Sequence, residues 1–149
     1  VENHFGVLAR VSGLISARAF NIDSLTVSAT EDPTISRMTI VVDADAIKLE
    51  QVKRQLDRLI DVIDVKELRE GEFIDRELLL AQVKIAGKGR AELERVVRAC
   101  GGRLAEATDH SAVVEATGDT KVLDQLVEQL RVFGIEKLVR TGRVALEKQ

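Results

Sequence analysis

The chain has 149 residues, 45% of them hydrophobic and 32% charged, and its 22 basic against 25 acidic side chains leave a net charge of −3. That balance belongs to a folded globular protein and excludes a disordered tail, a fibre or a basic stripe for phosphate backbones, so no nucleic acid partner is expected. The single cysteine, Cys100, rules out an intrachain disulfide, and the absence of Trp and Tyr removes the usual platforms for stacking bases or sugars.

No apolar run approaches the roughly 20 residues that cross a bilayer, and the chain opens on the polar stretch Val1-Glu2-Asn3-His4. The expected location is therefore the cytoplasm, with no membrane. From Gly6 onward, Val7, Val11, Leu14 and Ile15 recur at helical spacing, and Asn21 ends the run. Leu25, Val27 and Ala29 then alternate with Thr26 and Ser28. After the turn-rich Thr30-Glu31-Asp32-Pro33-Thr34, a second alternating set follows at Met38, Ile40 and Val42, which predicts a hairpin. Asp45 is placed to cap a helix with Leu49, Val52, Leu56, Leu59 and Ile60 on one face, and Ile63 and Val65 mark a strand after it.

Arg69-Glu70-Gly71-Glu72 is charged, aperiodic and interrupted by glycine, which places a boundary there. The pattern then starts again. Leu78, Leu80 and Val83 lie in a strand-like run, and Gly87-Lys88-Gly89 leads into a helix with Leu93, Val96, Val97 and Cys100, closed by Gly101-Gly102. Residues 103–108 and 111–117 flank the turn Asp109-His110 as a second hairpin. A helix carrying Leu123, Leu126, Val127 and Leu130 starts at Asp119 or Thr120 and stops at Gly134, and residues 138–146 supply a last strand.

The halves read α-β-β-α-β and β-α-β-β-α-β. The fold class is α+β: two ferredoxin-like βαββαβ domains over residues 1–70 and 75–149, the first lacking most of its first strand, which is expected to have been removed by truncation. Its loss would leave backbone groups of the neighbouring strand unpaired.

No catalytic or metal constellation stands out. Cys100 sits on an apolar helix face, away in sequence from His4 and His110, and reads as a small buried hydrophobe. Two histidines without a cysteine pair make no zinc pattern, and Gly87-Lys88-Gly89-Arg90 lacks phosphate-loop spacing. The junction Asn3-His4-Phe5-Gly6-Val7-Leu8 is more informative. A helix start offers free N–H groups and partial positive charge, glycine admits close approach, Asn3 adds an amide, and Val7 and Leu8 offer apolar surface, so a small carboxylate with an aliphatic side chain fits. The same residues also read as an ordinary cap asparagine and turn glycine.

The run Glu2-Asn3-x-x-Gly6-Val7-Leu8-x-Arg10-Val11-x-Gly13-Leu14, followed by Phe20-Asn21-Ile22-x-Ser24-Leu25-Thr26-Val27, resembles the ACT domain of the small regulatory subunit of acetolactate synthase (acetohydroxyacid synthase). Residues 30–40 and 55–62 are similar to its later segments, and Arg76-Glu77-Leu78 and Val139-Arg140-Thr141-Gly142 to landmarks of its C-terminal domain. The resemblance implies a subunit without catalytic residues that activates a large catalytic subunit and confers feedback inhibition by valine in branched-chain amino acid biosynthesis. It also implies a homodimer through ACT domains. The effector site lies between two copies, which assigns Asn3, Gly6, Val7 and Leu8 of one chain and Asn21 and Ile22 of the other to valine. Thiamine diphosphate, magnesium and flavin (FAD) belong by the same resemblance to the catalytic subunit, and no cofactor or metal is expected on this chain. An alternative reading is a stand-alone amino-acid sensor regulating another enzyme. One departure bears on the site: Ala19 stands where the family usually has glycine, and positive φ there would strain it.

Overall fold

The computed structural model describes residues 1–85 and 89–148. The Gly87-Lys88 step of the second half lies outside the described residues. Two compact units form, one of Val1–Ile74 joined by the chain end from Leu146, the other of Asp75–Ala145. The sequence boundaries group that end with the second half. The backbone ties it to the first, where Lys148 N–H donates to the Glu72 carbonyl at 2.9 Å and Lys66 Nζ meets Glu147 Oε2 at 2.5 Å.

The first unit contains α1 (Val7–Ala17), β1 (Ile22–Ala29), β2 (Ser36–Val42) and α2 (Ala46–Leu56). Val7, Val11 and Ile15, spaced by four, form the buried stripe of α1, and Val52 and Leu56 that of α2. Ile22, Met38, Ile40 and Val42 pack against this core from the antiparallel β1–β2 pair, in which Thr26 faces Thr39 and Val27 faces Met38. Asp45 caps α2 by accepting from Lys48 N–H at 2.8 Å.

Two expectations need correction. The strand at Ile63 and Val65 does not form: residues 62–69 carry neither helix nor strand. In a βαββαβ sheet that strand pairs with the opening one, and the short opening segment makes a single such bond, Glu2 N–H to the Asp61 carbonyl at 2.8 Å. Val62 and Val65 still cover the core, while Ile63 faces solvent. The apolar face of α2 is also shorter than its periodicity suggests, because the helix ends at Leu56 and Ile60 is exposed. The residues before α1 run along the hairpin instead: the Val1 carbonyl accepts from Ser36 N–H (2.9 Å) and Asn3 N–H donates to the Thr34 carbonyl (2.7 Å).

The second unit contains most of β3 (Phe73–Lys84), then α3 (Gly89–Ala99), β4 (Arg103–Ala107), β5 (Ser111–Gly118), α4 (Thr120–Leu130), a 3-10 turn (Arg131–Phe133), β6 (Ile135–Arg140) and the first half of β7 (Val144–Glu147). The sheet order is β4-β5-β3-β6, with β7 also pairing β3, which is the split βαββαβ topology. Leu93 and Val97 of α3 and Leu123, Leu126 and Leu130 of α4 close over Leu79, Ala81, Val83, Ala112, Val114 and Ala116 of the sheet. The inward face of β3 is thus the odd-numbered one. Leu78 and Leu80, read from sequence as core-strand residues, lie on the opposite, partly exposed face. The last strand is broken at residues 141–143 into β6 and β7.

Candidate functional site

The corner that delivers the chain into α1 is fixed from both sides. Asn3 is held by its backbone to the hairpin turn, and its Nδ2 donates to the Pro33 carbonyl at 2.8 Å. That donor assignment leaves Oδ1 of Asn3 as an acceptor with no partner among the described residues. Gly6 is the N-cap of α1 with φ +87° and has no side-chain cap. The first helical bond runs from Arg10 N–H to the Gly6 carbonyl at 3.0 Å, so the amides of Val7, Leu8 and Ala9 precede the ladder and concentrate the positive end of the helix dipole.

The apolar surroundings differ from the sequence expectation. The Val7 side chain is 2% exposed and belongs to the core, so Val7 offers the site its backbone N–H and no side-chain surface. Leu8, at 44% exposure, and Phe5, fully exposed, present the apolar surface at this corner.

Asn21 and Ile22 lie at the other end of α1. Arg18 and Ala19 close the helix through Arg18 N–H to Ile15 (3.2 Å) and Ala19 N–H to Ser16 (3.0 Å), and Ala19 has φ +60°. The alanine therefore does occupy the left-handed conformation that a glycine tolerates freely. Asn21 Nδ2 donates to Asp23 Oδ1 at 3.1 Å, which again leaves a side-chain carbonyl without a partner among the described residues, while Ile22 opens β1 opposite Val42 and packs against the core. An 11-residue helix separates the two groups by about 16 Å. Within one chain they do not meet around one small ligand.

Sequence reading passed over two side chains. Asp61 is only 5% exposed, and its Oδ2 lies 2.8 Å from Nη1 of Arg10 without hydrogen-bond alignment. Its Oδ1 lies 3.0 Å from Nε2 of His4, which is itself 3.1 Å from Glu2 Oε2. Signals existed for both: a cation in the first turn of α1 opposes the helix dipole, and a carboxylate interrupts the apolar run Ile60-Asp61-Val62-Ile63. The hydrogen bond to the Phe5 carbonyl, together with the carboxylates of Glu2 and Asp61, raises the pKa of His4 above its ordinary 6.5. Glu2, His4 and Asp61 bring three possible ligand atoms within 4.8 Å of one another, but the Arg10 charge on Asp61 works against a divalent ion there. A shallow groove along α2, lined by Ala46, Ile47, Glu50, Gln51 and Arg54, has its charges spent on a Glu50–Arg54 pair at 3.1 Å. None of the described helices is long and apolar enough to cross a membrane.

A family model described as an AHAS small subunit-like ACT domain matches residues 1–64, and one described as the small subunit of acetolactate synthase matches residues 76–149. The acetolactate synthase small subunit of Haemophilus influenzae is 40% identical over 149 residues, covering 99% of this chain and 91% of that protein. The isozyme 3 small subunit of Escherichia coli is 40% identical with the same coverage. The crystal structure of the acetolactate synthase small subunit from Thermotoga maritima is similar with a TM-score of 0.90 at 29% identity, covering 100% of this chain and 93% of that one. With an ACT-like half, a matching second half and full-length likeness in sequence and fold, the chain belongs to the acetolactate synthase small-subunit family.

Proposed function

We propose that this chain is the regulatory subunit that binds the thiamine-diphosphate-dependent large subunit of acetolactate synthase, raises its activity and makes it sensitive to valine. Family membership supplies the large-subunit partner and the ACT-like domain supports regulation. The observation that carries the effector reading is a polarity match. The start of α1 presents donors around Gly6, and Asn3 and Asn21 each spend an amide N–H internally and keep a carbonyl oxygen free. A zwitterionic amino acid needs both: N–H groups for its carboxylate and carbonyls for its ammonium.

Since the ends of α1 stand about 16 Å apart, one valine reaches both only between two copies, with Asn3, Gly6, Val7 and Leu8 of one facing Asn21 and Ile22 of the other. Such an isologous pair holds two sites. Enclosing the isopropyl group contributes about 1.5–3 kcal/mol, and one methylene more or less changes affinity by about 1–3 kcal/mol, so leucine and isoleucine bind more weakly than valine without being rejected outright. Inhibition requires valine to favour one arrangement of the holoenzyme, and a coupling of about 1–3 kcal/mol gives a several-fold to hundred-fold response. The thiamine diphosphate, magnesium and flavin chemistry is the partner's.

The test is the activity of the large subunit alone, with this chain, and with this chain plus valine. Stimulation that valine reverses is expected. Valine binding without any stimulation would move the protein to a sensor of some other enzyme, and acetolactate formation by this chain alone would make it an enzyme.

A further inference from the structure

We propose that Arg10 is the charged donor that reads the carboxylate of the amino-acid effector at the start of α1, and that buried Asp61 positions it there. The assignment rests on the effector reading above and names a specificity residue within the same site.

A cation in the first turn of a helix is misplaced with respect to the dipole unless an anion holds it. Asp61 is that anion: 5% exposed, at 2.8 Å from Nη1, its backbone fixed by Glu2 N–H at 2.8 Å. Asp61 nevertheless takes only part of the guanidinium. Its second oxygen lies 3.0 Å from His4, and the Arg10 contact on Oδ2 lacks hydrogen-bond alignment, so the two-pronged pairing that an arginine makes with a carboxylate when both oxygens are available is not made. The rest of the fork is not spent on Asp61. Nη2 of Arg10 is 3.7 Å from the position a Cβ on Gly6, the N-cap of α1, would occupy, and meets no protein acceptor among the described residues. The side chain is half exposed, so a ligand reaches it from solvent or from a dimer seam. Backbone amides and one open guanidinium edge, converging on a glycine without a side chain, make a carboxylate cradle.

Asp61 compensates the arginine charge without occupying its open edge. It holds the guanidinium in place before ligand arrives, which lowers the ordering cost of binding. The predicted discrimination is against ligands that keep the aliphatic side chain and ammonium but lose the carboxylate.

The experiment is calorimetric titration of the full chain with valine and with valinamide at neutral pH, for wild type, Arg10→Gln and Arg10→Lys. Wild type is expected to prefer valine over valinamide at least about tenfold. Arg10→Gln is expected to lose about tenfold to hundredfold for valine while its valinamide affinity moves less than about threefold, so that the preference collapses. Arg10→Lys, which keeps the charge without the planar fork, restores part of the preference and serves as the readout should Arg10→Gln fold poorly. An unchanged valine-to-valinamide ratio in Arg10→Gln, or in Arg10→Lys where that is the folded variant, overturns the Arg10 assignment and leaves the effector site standing. A wild-type chain that takes up none of valine, leucine or isoleucine removes the site and the assignment together.

Discussion

The carboxylate of Asp61 faces two basic side chains at once, Arg10 at 2.8 Å on one oxygen and His4 at 3.0 Å on the other. Because the fold raises the pKa of His4 above its ordinary 6.5, the pair makes the first unit sensitive to pH. Its pKa is raised in the fold by the Phe5 carbonyl and then by Glu2 and Asp61, so protonation favours the folded state. The stabilisation is complete below the ordinary value of 6.5 and disappears as pH rises through the raised folded value. The His4 side chain is 45% exposed, so solvent screens the effect and keeps it small. Urea midpoints at about pH 6 and about pH 8.5 are expected to fall in wild type by more than in His4→Gln. Parallel curves would detach His4 from the stability of the fold.

Gly6 separates a steric requirement from an electrostatic one. At φ +87° any side chain is strained, yet a Cβ there would meet only Arg10 Nη2 at an ordinary 3.7 Å. Gly6→Ala is therefore expected to cost about 1–2 kcal/mol of stability and to weaken valine inhibition in part. Gly6→Asp adds a carboxylate beside Arg10 at the start of α1, where the proposed site would take the effector's own, and is expected to abolish the valine response. The response is read as activity against valine concentration, normalised to each variant's valine-free rate. Equal valine affinity in wild type and Gly6→Asp would remove the corner from the effector site.

The hairpin turn between β1 and β2 is a candidate docking element for the large subunit, and its two acidic residues have different duties. Asp32 builds the turn: Oδ1 accepts from the Thr34 amide (2.8 Å) and hydroxyl (2.6 Å), and the Asn3 backbone is tied to the same Thr34. Asp32→Ala is thus expected to disturb Asn3, and with it any valine response, along with any docking. Glu31→Lys is the cleaner probe. It is expected to lower stimulation of the large subunit several-fold while unfolding shifts by less than about 0.5 kcal/mol. Undiminished stimulation would relieve the turn of a docking role.

How much of this was legible in the sequence depends on how local the determinant is. Val7, Val11 and Ile15 announced α1 by spacing, and Asp119 announced the start of α4, where its side chain accepts from Val122 N–H at 2.9 Å. Non-local pairing was not legible. Ile63 and Val65 have strand composition but lack a partner strand, and a continuous apolar run in β3 hid which face is inside, since Leu78, Leu79 and Leu80 are chemically alike. The Arg10–Asp61 contact spans 51 positions and has no local signature beyond one misplaced charge in each element.

In the second unit, Leu126 is fully buried and Leu138 is partly exposed at the edge strand β6. Leu126→Ala is expected to destabilise by about 2–5 kcal/mol and Leu138→Ala by less than about 1 kcal/mol, with Asp119→Ala between them at about 0.5–2 kcal/mol through loss of the cap. Chemical denaturation of the three variants checks the order. A cost for Leu138→Ala equal to that of Leu126→Ala would mean that β6 is covered in solution.

Ala19 offers the opposite sign. It follows the C-cap of α1 with φ +60°, where the Cβ of an L-residue is crowded by backbone at a cost of about 1–2 kcal/mol. Ala19→Gly removes that strain and gives back about 0.4–1 kcal/mol by loosening the unfolded chain. The net expectation is a gain of about 0.5–1 kcal/mol, or several degrees in Tm at about 4–8 °C per kcal/mol for a unit of this size. The gain should appear in the unfolding rate and midpoint while valine affinity changes little, because Asn21 and Ile22 leave the turn held by their own contacts with Asp23 and Val42. A destabilised Ala19→Gly would mean that the alanine methyl makes a contact worth more than the strain it causes.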